Sequence, residues 1–124
     1  MLFDTDVLID YLRGVEKAVT CLENHPGQLL ISAIVVAELF AGVREGAERD
    51  KLNAFIRAFE ILPVDGSVAE LGGLFRRDYR KSHKTGLADA LIAATAKRHN
   101  TSLVTLNTKH YPMLSNIVVP YRKS

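Results

Sequence analysis

The 124-residue chain has one cysteine, no tryptophan and no long apolar run, and these absences narrow the classes of protein to which it can belong. Cys21 cannot form an internal disulfide, and its amphipathic segment, residues 15–24, predicts a small buried hydrophobe, as expected in a reducing cytosol. No apolar run approaches the length of a membrane span. Residues 1–4 lack the basic and apolar regions of a secretory signal. We therefore expect a cytoplasmic protein that does not enter membranes.

Acidic residues are also missing from residues 90–124, although the net charge of the whole chain is only +2. Five basic residues lie in that stretch: Lys97, Arg98, Lys109, Arg122 and Lys123. Residues 76–84 form a second basic cluster with a single acid, and its basic members are Arg76, Arg77, Arg80, Lys81, His83 and Lys84. A polyanionic partner is one interpretation, and a solvated helix face is the other.

What is present is typical of one globular domain spanning residues 1–124, with 48% hydrophobic and 24% charged residues. Short apolar segments predict strands at residues 2–3, 28–32, 61–64, 102–106 and 117–119. Helical spacing predicts helices after Asp4, at residues 15–25, 33–46, 47–60 and 87–100, and from Val68 into the basic cluster. This alternation predicts an α/β fold whose parallel sheet is covered on both faces. Ligands of such sheets bind beyond the carboxyl ends of the strands.

Three acidic residues stand in apolar surroundings. Glu38 is the sole ionisable residue between positions 26 and 43, and Asp89 interrupts a helix that is apolar nearly all round. Asp4 follows the first strand. Each has an ordinary explanation taken alone, because an acid can cap a helix, favour a helix dipole or pair with an arginine. A buried charge without a partner costs several kcal/mol, however, so one shared site explains all three together.

A cluster of ionised carboxylates needs a cation, because like charges at close range repel. An all-oxygen ligand set suits a hard divalent metal such as Mg²⁺ or Mn²⁺. The three acids therefore predict a divalent metal site.

Four segments resemble the motifs of the PIN-domain family. Residues 4–10 (DTDVLID) resemble its opening motif, and residues 37–42 (AELFAG) resemble its Glu-Leu-x-x-Gly segment. Residues 87–96 (LADALIAATA) resemble the helix that carries its third acid. Residues 105–111 (TLNTKHY) lie where the family has Thr, a spacer, then Asp or Asn, ending in an aromatic residue. The resemblance spans the chain and is closest to the VapC toxins of toxin–antitoxin pairs.

The resemblance implies a PIN-like three-layer α/β/α domain with a central parallel sheet of four to five strands. It further implies a metal-dependent endoribonuclease toxin that hydrolyses RNA, is neutralised by a VapB-type antitoxin and forms a homodimer. Asp4 and Asp89 would bind Mg²⁺ or Mn²⁺, and Glu38 would bind the ion or orient its water. Asn107 replaces the fourth acid, which removes one negative charge and puts a tightly held second metal in doubt.

Other residues take supporting parts in this interpretation. Thr5 and Thr105 would hold the carboxylates by hydrogen bonds. Asp6 would reach the metal through water or favour the start of its helix. The RNA backbone would be bound by Arg76, Arg77, Arg80, Lys81, Lys84, Lys97, Arg98 and Lys109.

Three alternatives compete with this interpretation. Asp4 and Asp6 resemble the acid pair of haloacid-dehalogenase phosphatases, but no acid follows Asp89 to complete that site. Asp65 and Lys109 suit a response-regulator receiver, which leaves Glu38 and Asp89 unexplained. A catalytically silent RNA- or partner-binding module is the third alternative, because Asn107 weakens the metal site. The four histidines have no ligand spacing and predict surface or cap positions: His25, His83, His99 and His110.

Overall fold

A computed structural model describes residues 1–122, so Lys123 and Ser124 lie outside the described part of the chain. Its strands are β1 (Leu2–Phe3), β2 (Leu30–Ser32), β3 (Glu60–Leu62), β4 (Leu103–Val104) and β5 (Ile117–Val118). Its α-helices are α1 (Thr5–Leu12), α2 (Glu16–Glu23), α3 (Ala33–Ala41), α4 (Ala47–Ile56), α5 (Gly66–His83) and α6 (Leu87–Arg98). A short 3-10 helix, Thr108–His110, precedes the last strand.

The five strands form one parallel sheet in the order β3-β2-β1-β4-β5. Successive side chains of a strand point to opposite faces of a sheet. Leu2 and Phe3 are adjacent in β1 and both are fully buried, so both faces of the central strand are covered. This arrangement confirms the predicted α/β/α fold and its sheet of four to five strands.

The order of the strands switches at β1, which pairs with β2 on one side and with β4 on the other. Phe3 lies opposite Val104 in the register of β1 and β4. The residues that follow these strands, Asp4 and Thr105, are therefore neighbours at the carboxyl edge of the sheet. Open parallel sheets bind ligands at such a switch point.

Side-chain caps begin three of the helices. Asp4, Ser32 and Asp65 accept hydrogen bonds from backbone N–H groups at the starts of α1, α3 and α5. Ser32 is fully buried, and its Oγ lies 3.2 Å from Oγ1 of Thr95 in α6. This contact joins the start of α3 to α6, so the helices that carry Glu38 and Asp89 are held to each other.

Several predicted boundaries are wrong. The helix predicted over 33–46 ends at Ala41, because Gly42 ends it and the N–H of Val43 turns back to Phe40. The helix predicted over 47–60 ends at Ile56, and β3 begins at Glu60. The 3-10 helix was not predicted, because a single turn leaves no repeating apolar pattern.

Cys21 is half-buried and packs against the core, so the predicted burial of this small hydrophobic side chain is only partial. Its partial burial raises the pKa of the thiol. Among the helices described, none is both long and apolar enough to cross a membrane.

Gly72 marks a close approach between α5 and α6. A Cβ atom there would lie 2.5 Å from Cδ2 and 3.3 Å from Cα of Leu91, whereas one on Gly73 would meet nothing within 4 Å. Overpacking costs about 1–3 kcal/mol, while alanine gains about 0.5–1 kcal/mol over glycine within a helix. We expect Gly72→Ala to lower the free energy of unfolding and Gly73→Ala, its matched control, to raise it, as measured by urea unfolding. Equal effects of the two substitutions would contradict the close packing.

Candidate active site

Asp4 is the most buried of the three predicted site acids, with 6% of its surface exposed. Its Oδ1 accepts a hydrogen bond from the N–H of Thr5 at 2.7 Å. Its Oδ2 accepts hydrogen bonds from Oγ1 of Thr105 and from Oη of Tyr111, each at 2.8 Å. Groups from α1, from the end of β4 and from the residue after the 3-10 helix thus fix this carboxylate at the switch point.

Asp89 lies in the first turn of α6 and reaches the same place. Its Oδ1 lies 3.3 Å from Tyr111 Oη, so it shares that hydroxyl with Asp4. Its Oδ2 lies 3.0 Å from Nδ1 of His110, and 28% of its side chain is exposed. Asp89 is therefore half-buried beside Asp4, as the predicted site requires.

Glu38 completes the group from the side of α3. Its Oε1 accepts a hydrogen bond from Oγ1 of Thr5 at 2.7 Å, and Thr5 is the residue that follows Asp4. Glu38 is exposed, so the expectation that apolar neighbours bury it is wrong. Its helix turns the carboxylate outward while Val35 and Leu39 face the core. A cavity of about 680 Å³ between α1, α3 and α4 includes Glu38 in its lining.

Asp6 forms hydrogen bonds that link the segment after β4 to the start of α1. Its Oδ2 accepts a hydrogen bond from the N–H of Leu106 at 3.0 Å and lies 3.4 Å from Thr105 Oγ1. Its Oδ1 accepts one from the N–H of Val7 at 2.7 Å. These bonds give Asp6 a structural task, joining two segments that both touch Asp4.

Asn107 and His110 form an outer pair. Nδ2 of Asn107 lies 3.1 Å from Nδ1 of His110, which also contacts Asp89. One ring nitrogen serves only one of these contacts at a time: protonated, it donates to Asp89, and unprotonated, it accepts from Asn107. The prediction of a surface or cap position is wrong for His110, which connects Asn107 to the acids.

Sequence reasoning missed His110 and Tyr111 as members of the site. For Tyr111 the sequence signal was the aromatic position that ends the motif at residues 105–111, and its contacts became visible only in the structure, where the ring is 1% exposed and its hydroxyl needs a partner. For His110 none existed, because Asp89 lies on a different element and no local spacing links the two. Both residues come from the segment that the 3-10 helix positions, and Thr85 Oγ1 anchors it through the carbonyl of His110 at 3.0 Å.

Burial and mutual repulsion govern the ionisation of the acids. Burial raises the pKa of Asp4, the three hydrogen bonds oppose this, and the charge of Asp89 raises it further. Burial, together with the charge of Asp4, raises the pKa of Asp6 to about 6. Although the residue as a whole is exposed, partial desolvation of its carboxyl group raises the pKa of Glu38, and the charges of Asp4 and Asp89 add to the effect. The acids therefore act as one electrostatically coupled group.

The donor set fits a hard cation, since every candidate ligand is a carboxylate. Within residues 1–122, however, no three acidic, histidine or cysteine side chains are arranged to hold a metal ion by themselves. Hydroxyl groups join the carboxylates instead, with Thr5 bonded to Glu38 and Tyr111 between the two aspartates.

The predicted RNA-binding residues fall into two groups. The exposed side chains of Arg80 and Lys81 lie in the last turn of α5, Lys84 ends that helix, and Lys109 lies in the 3-10 helix beside His110. Lys97 and Arg98 lie in the last turn of α6, about 12 Å along its axis from Asp89.

Two residues of the α5 cluster are less available than predicted. Arg77 pairs with Asp78 at 2.8 Å, so its charge is already partly neutralised. Arg76 is half-buried, and in the described chain its buried Nε has no hydrogen-bond partner. Arg80 and Lys81 remain an exposed adjacent pair in the last turn of α5, followed by the exposed Lys84.

Known proteins share both the sequence and the fold. Ribonuclease VapC10 of Mycobacterium tuberculosis is 40% identical over 124 residues, covering 98% of this chain and 92% of the relative. Ribonuclease VapC19 of the same organism is 39% identical over 125 residues, covering 97% and 98%. A chain of a toxin–antitoxin complex from Klebsiella pneumoniae superposes with a TM-score of 0.84 at 33% identity, covering 98% of both chains. FitAcB from Neisseria gonorrhoeae gives a TM-score of 0.75 at 32% identity, covering 96% of both.

The family model for the PIN domain matches residues 1–113, a span that includes Asp4, Glu38, Asp89 and the segment around Tyr111. Sequence, fold and arrangement of acids agree, and the chain belongs to the PIN-domain family.

Proposed function

We propose that this chain is a metal-dependent endoribonuclease and the toxin of a toxin–antitoxin pair. One observation carries the proposal: Asp4, Glu38 and Asp89, from three separate segments, meet at the switch point of the sheet with coupled charges. The ribonuclease names of the relatives support an RNA substrate. The complexes among the structural neighbours support a VapB-type antitoxin as inhibitor.

Mg²⁺ or Mn²⁺ is the cofactor that these residues suit. Mg²⁺ commonly uses one or two carboxylates and keeps several waters, so Asp4 and Asp89 suffice as direct ligands. When bound, the ion supplies an acidified water and neutralises charge on the phosphate. Glu38 would bind the ion or its water. The cytoplasmic location and the homodimer implied by the family resemblance stay predictions.

The side chains of this site would divide the work of hydrolysis. Thr105 holds Asp4, Thr5 holds Glu38, and His110 orients Asp89. Glu38 is exposed and its pKa is raised, which suits a group that accepts a proton from the attacking water. Attack on phosphorus would break the bond to the 3′ oxygen and leave a 5′-phosphate and a 3′-hydroxyl.

The cavity beside Glu38 offers a route to inhibition. Apolar side chains line it, among them Leu12, Leu39 and Leu52, together with the charged residues Arg13 and Lys51. An antitoxin segment seated there would lie next to Glu38 and would exclude RNA from the carboxylates.

Replacing the site acids by amides tests the proposal directly. We expect Asp4→Asn, Glu38→Gln and Asp89→Asn each to lower RNA cleavage in Mg²⁺ at least about 100-fold while the protein stays folded, because each removes a charge that the metal needs. Cleavage is followed on labelled RNA, and folding by circular dichroism.

Asp65→Asn is the matched control for these variants. Asp65 caps α5 as Asp4 caps α1, but it follows the edge strand β3 rather than the central strand. It should leave cleavage unchanged. Wild-type protein that binds RNA without cutting it in Mg²⁺ or Mn²⁺ would support the silent module instead, and cleavage that persists in chelator would exclude the metal mechanism.

The basic end of α5 should bind the RNA backbone. Each lost contact with a single-stranded phosphate removes about 0.7 from the slope of log affinity against log salt. Replacing Arg80 and Lys81 by glutamine should therefore weaken RNA binding and reduce the slope by about 1.4, with metal affinity unchanged. The charge-matched double variant Lys17→Gln with Arg57→Gln, on exposed positions of α2 and at the end of α4, serves as control. If both doubles lower affinity equally, the effect is one of net charge and not of this surface.

The pH dependence of stability in chelator follows from the raised pKa of Asp6. Below its ordinary value of 3.8, Asp6 is protonated in both states; between that value and about 6, the folded state keeps a proton that the unfolded state has lost. The contribution of Asp6 to stability therefore falls as the pH rises through about 6. Urea unfolding in chelator should show Asp6→Asn gaining stability relative to wild type from pH 4 to pH 7, with Mn²⁺ reducing the gain. A difference that does not vary with pH would argue against the shifted ionisation.

A further inference from the structure

Tyr111 lies between Asp4 and Asp89 and contacts both carboxylates. Its side chain is buried, and its hydroxyl lies 2.8 Å from Oδ2 of Asp4 and 3.3 Å from Oδ1 of Asp89. Both of these contacts of the hydroxyl are with carboxylates.

A phenol has one proton, so the hydroxyl donates fully to one carboxylate at a time. Burial and the charges of Asp4 and Asp89 raise the pKa of Tyr111, which keeps that proton in place. The shorter distance assigns the proton to Asp4, and the contact with Asp89 is the weaker one. A hydrogen bond from a neutral donor to an ionised acceptor is among the strong ones in proteins.

We propose that the Tyr111 hydroxyl stands in for the cation in the metal-free site, stabilising Asp4 beside Asp89 and competing with the metal for them. This inference rests on the proposed metal site. A metal ion held by Asp4 and Asp89 would bind carboxylate oxygens of both residues. The hydroxyl between them would then lose at least its contact with Asp89. Because it favours the metal-free form, Tyr111 lowers the affinity for the metal.

Other contacts hold Asp4 and Asp89 in place when the Tyr111 hydroxyl is removed by mutation. Asp4 keeps its bonds from Thr105 and from the N–H of Thr5, and Asp89 keeps His110. A phenylalanine would fill the same buried space, so Tyr111→Phe changes one donor and little else. Tyr111 is thus a positioning residue that acts through the two carboxylates.

Tyr111→Phe should bind Mn²⁺ on the order of tenfold more tightly than wild type, because the ion no longer displaces a charge-assisted hydrogen bond. The same variant should melt several degrees lower in chelator, since the repulsion between the aspartates is no longer relieved. Calorimetric titration with Mn²⁺ and thermal unfolding in chelator measure the two effects.

Tyr121→Phe is the matched control. Tyr121 Oη also donates to a buried aspartate, Asp10 Oδ2, at 2.8 Å, and Asp10 lies in the second half of α1, six positions after Asp4 in the chain. This variant should lose stability in chelator with no change in Mn²⁺ affinity. It separates the general cost of losing a tyrosine–aspartate bond from an effect on the metal.

The possible results test the competition by Tyr111 separately from the proposed metal site on which it rests. Tighter Mn²⁺ binding by Tyr111→Phe and unchanged binding by Tyr121→Phe would support the competition. If wild type binds Mn²⁺ and Tyr111→Phe binds it equally or more weakly, the proposed competition is overturned and the proposed metal site still stands. Wild-type protein that binds no Mn²⁺ would overturn both.

Discussion

The burial of Asp4 is the constraint on which the rest of the site depends. Removing an ionised carboxylate from water costs several kcal/mol unless hydrogen bonds or charges replace the lost hydration. Three donors do so here, from Thr5, Thr105 and Tyr111. Hydrogen bonds to a charged group each contribute about 1.5–3 kcal/mol, which is comparable with that cost. Asp4 can therefore stay buried only if β4 pairs with β1, which places Thr105 beside it, and if the 3-10 helix places Tyr111 beside it.

The same donors limit what Asp4 can do. Its Oδ2 accepts two hydrogen bonds and its Oδ1 accepts one, so of the roughly four acceptor positions of a carboxylate only one, on Oδ1, remains for a metal ion. Asp89 and Glu38 are progressively more open to solvent. The three acids therefore range from the buried Asp4 to the exposed Glu38, an order suited to holding an ion on the inside and admitting a large polyanion from the outside.

The fold and the three acids could be predicted from sequence because they leave local signals. Alternating apolar strands and helices indicated the parallel sheet, and acids in apolar segments indicated a shared site. The carboxyl ends of parallel strands meet at one edge, so Asp4 and Thr105 had to be neighbours. The contacts of His110 and Tyr111 join distant segments and leave no local pattern. The exposure of Glu38 depends on how α3 is rotated against the core, and the distance of Lys97 from the site depends on the direction of α6; neither follows from composition.

The separation of Asp4 and Tyr111 along the chain also bears on how the protein is made. The two residues are 107 positions apart, and Thr105 lies 101 positions from Asp4. Synthesis proceeds from the amino terminus, so Asp4 is made about a hundred residues before Thr105 and Tyr111. A nascent chain lacks two of the three donors of Asp4 until residues 105–111 have been made, and contacts of such long range form slowly. The buried carboxylate therefore acquires its full set of hydrogen bonds only when β4 and the segment after it have packed beside β1.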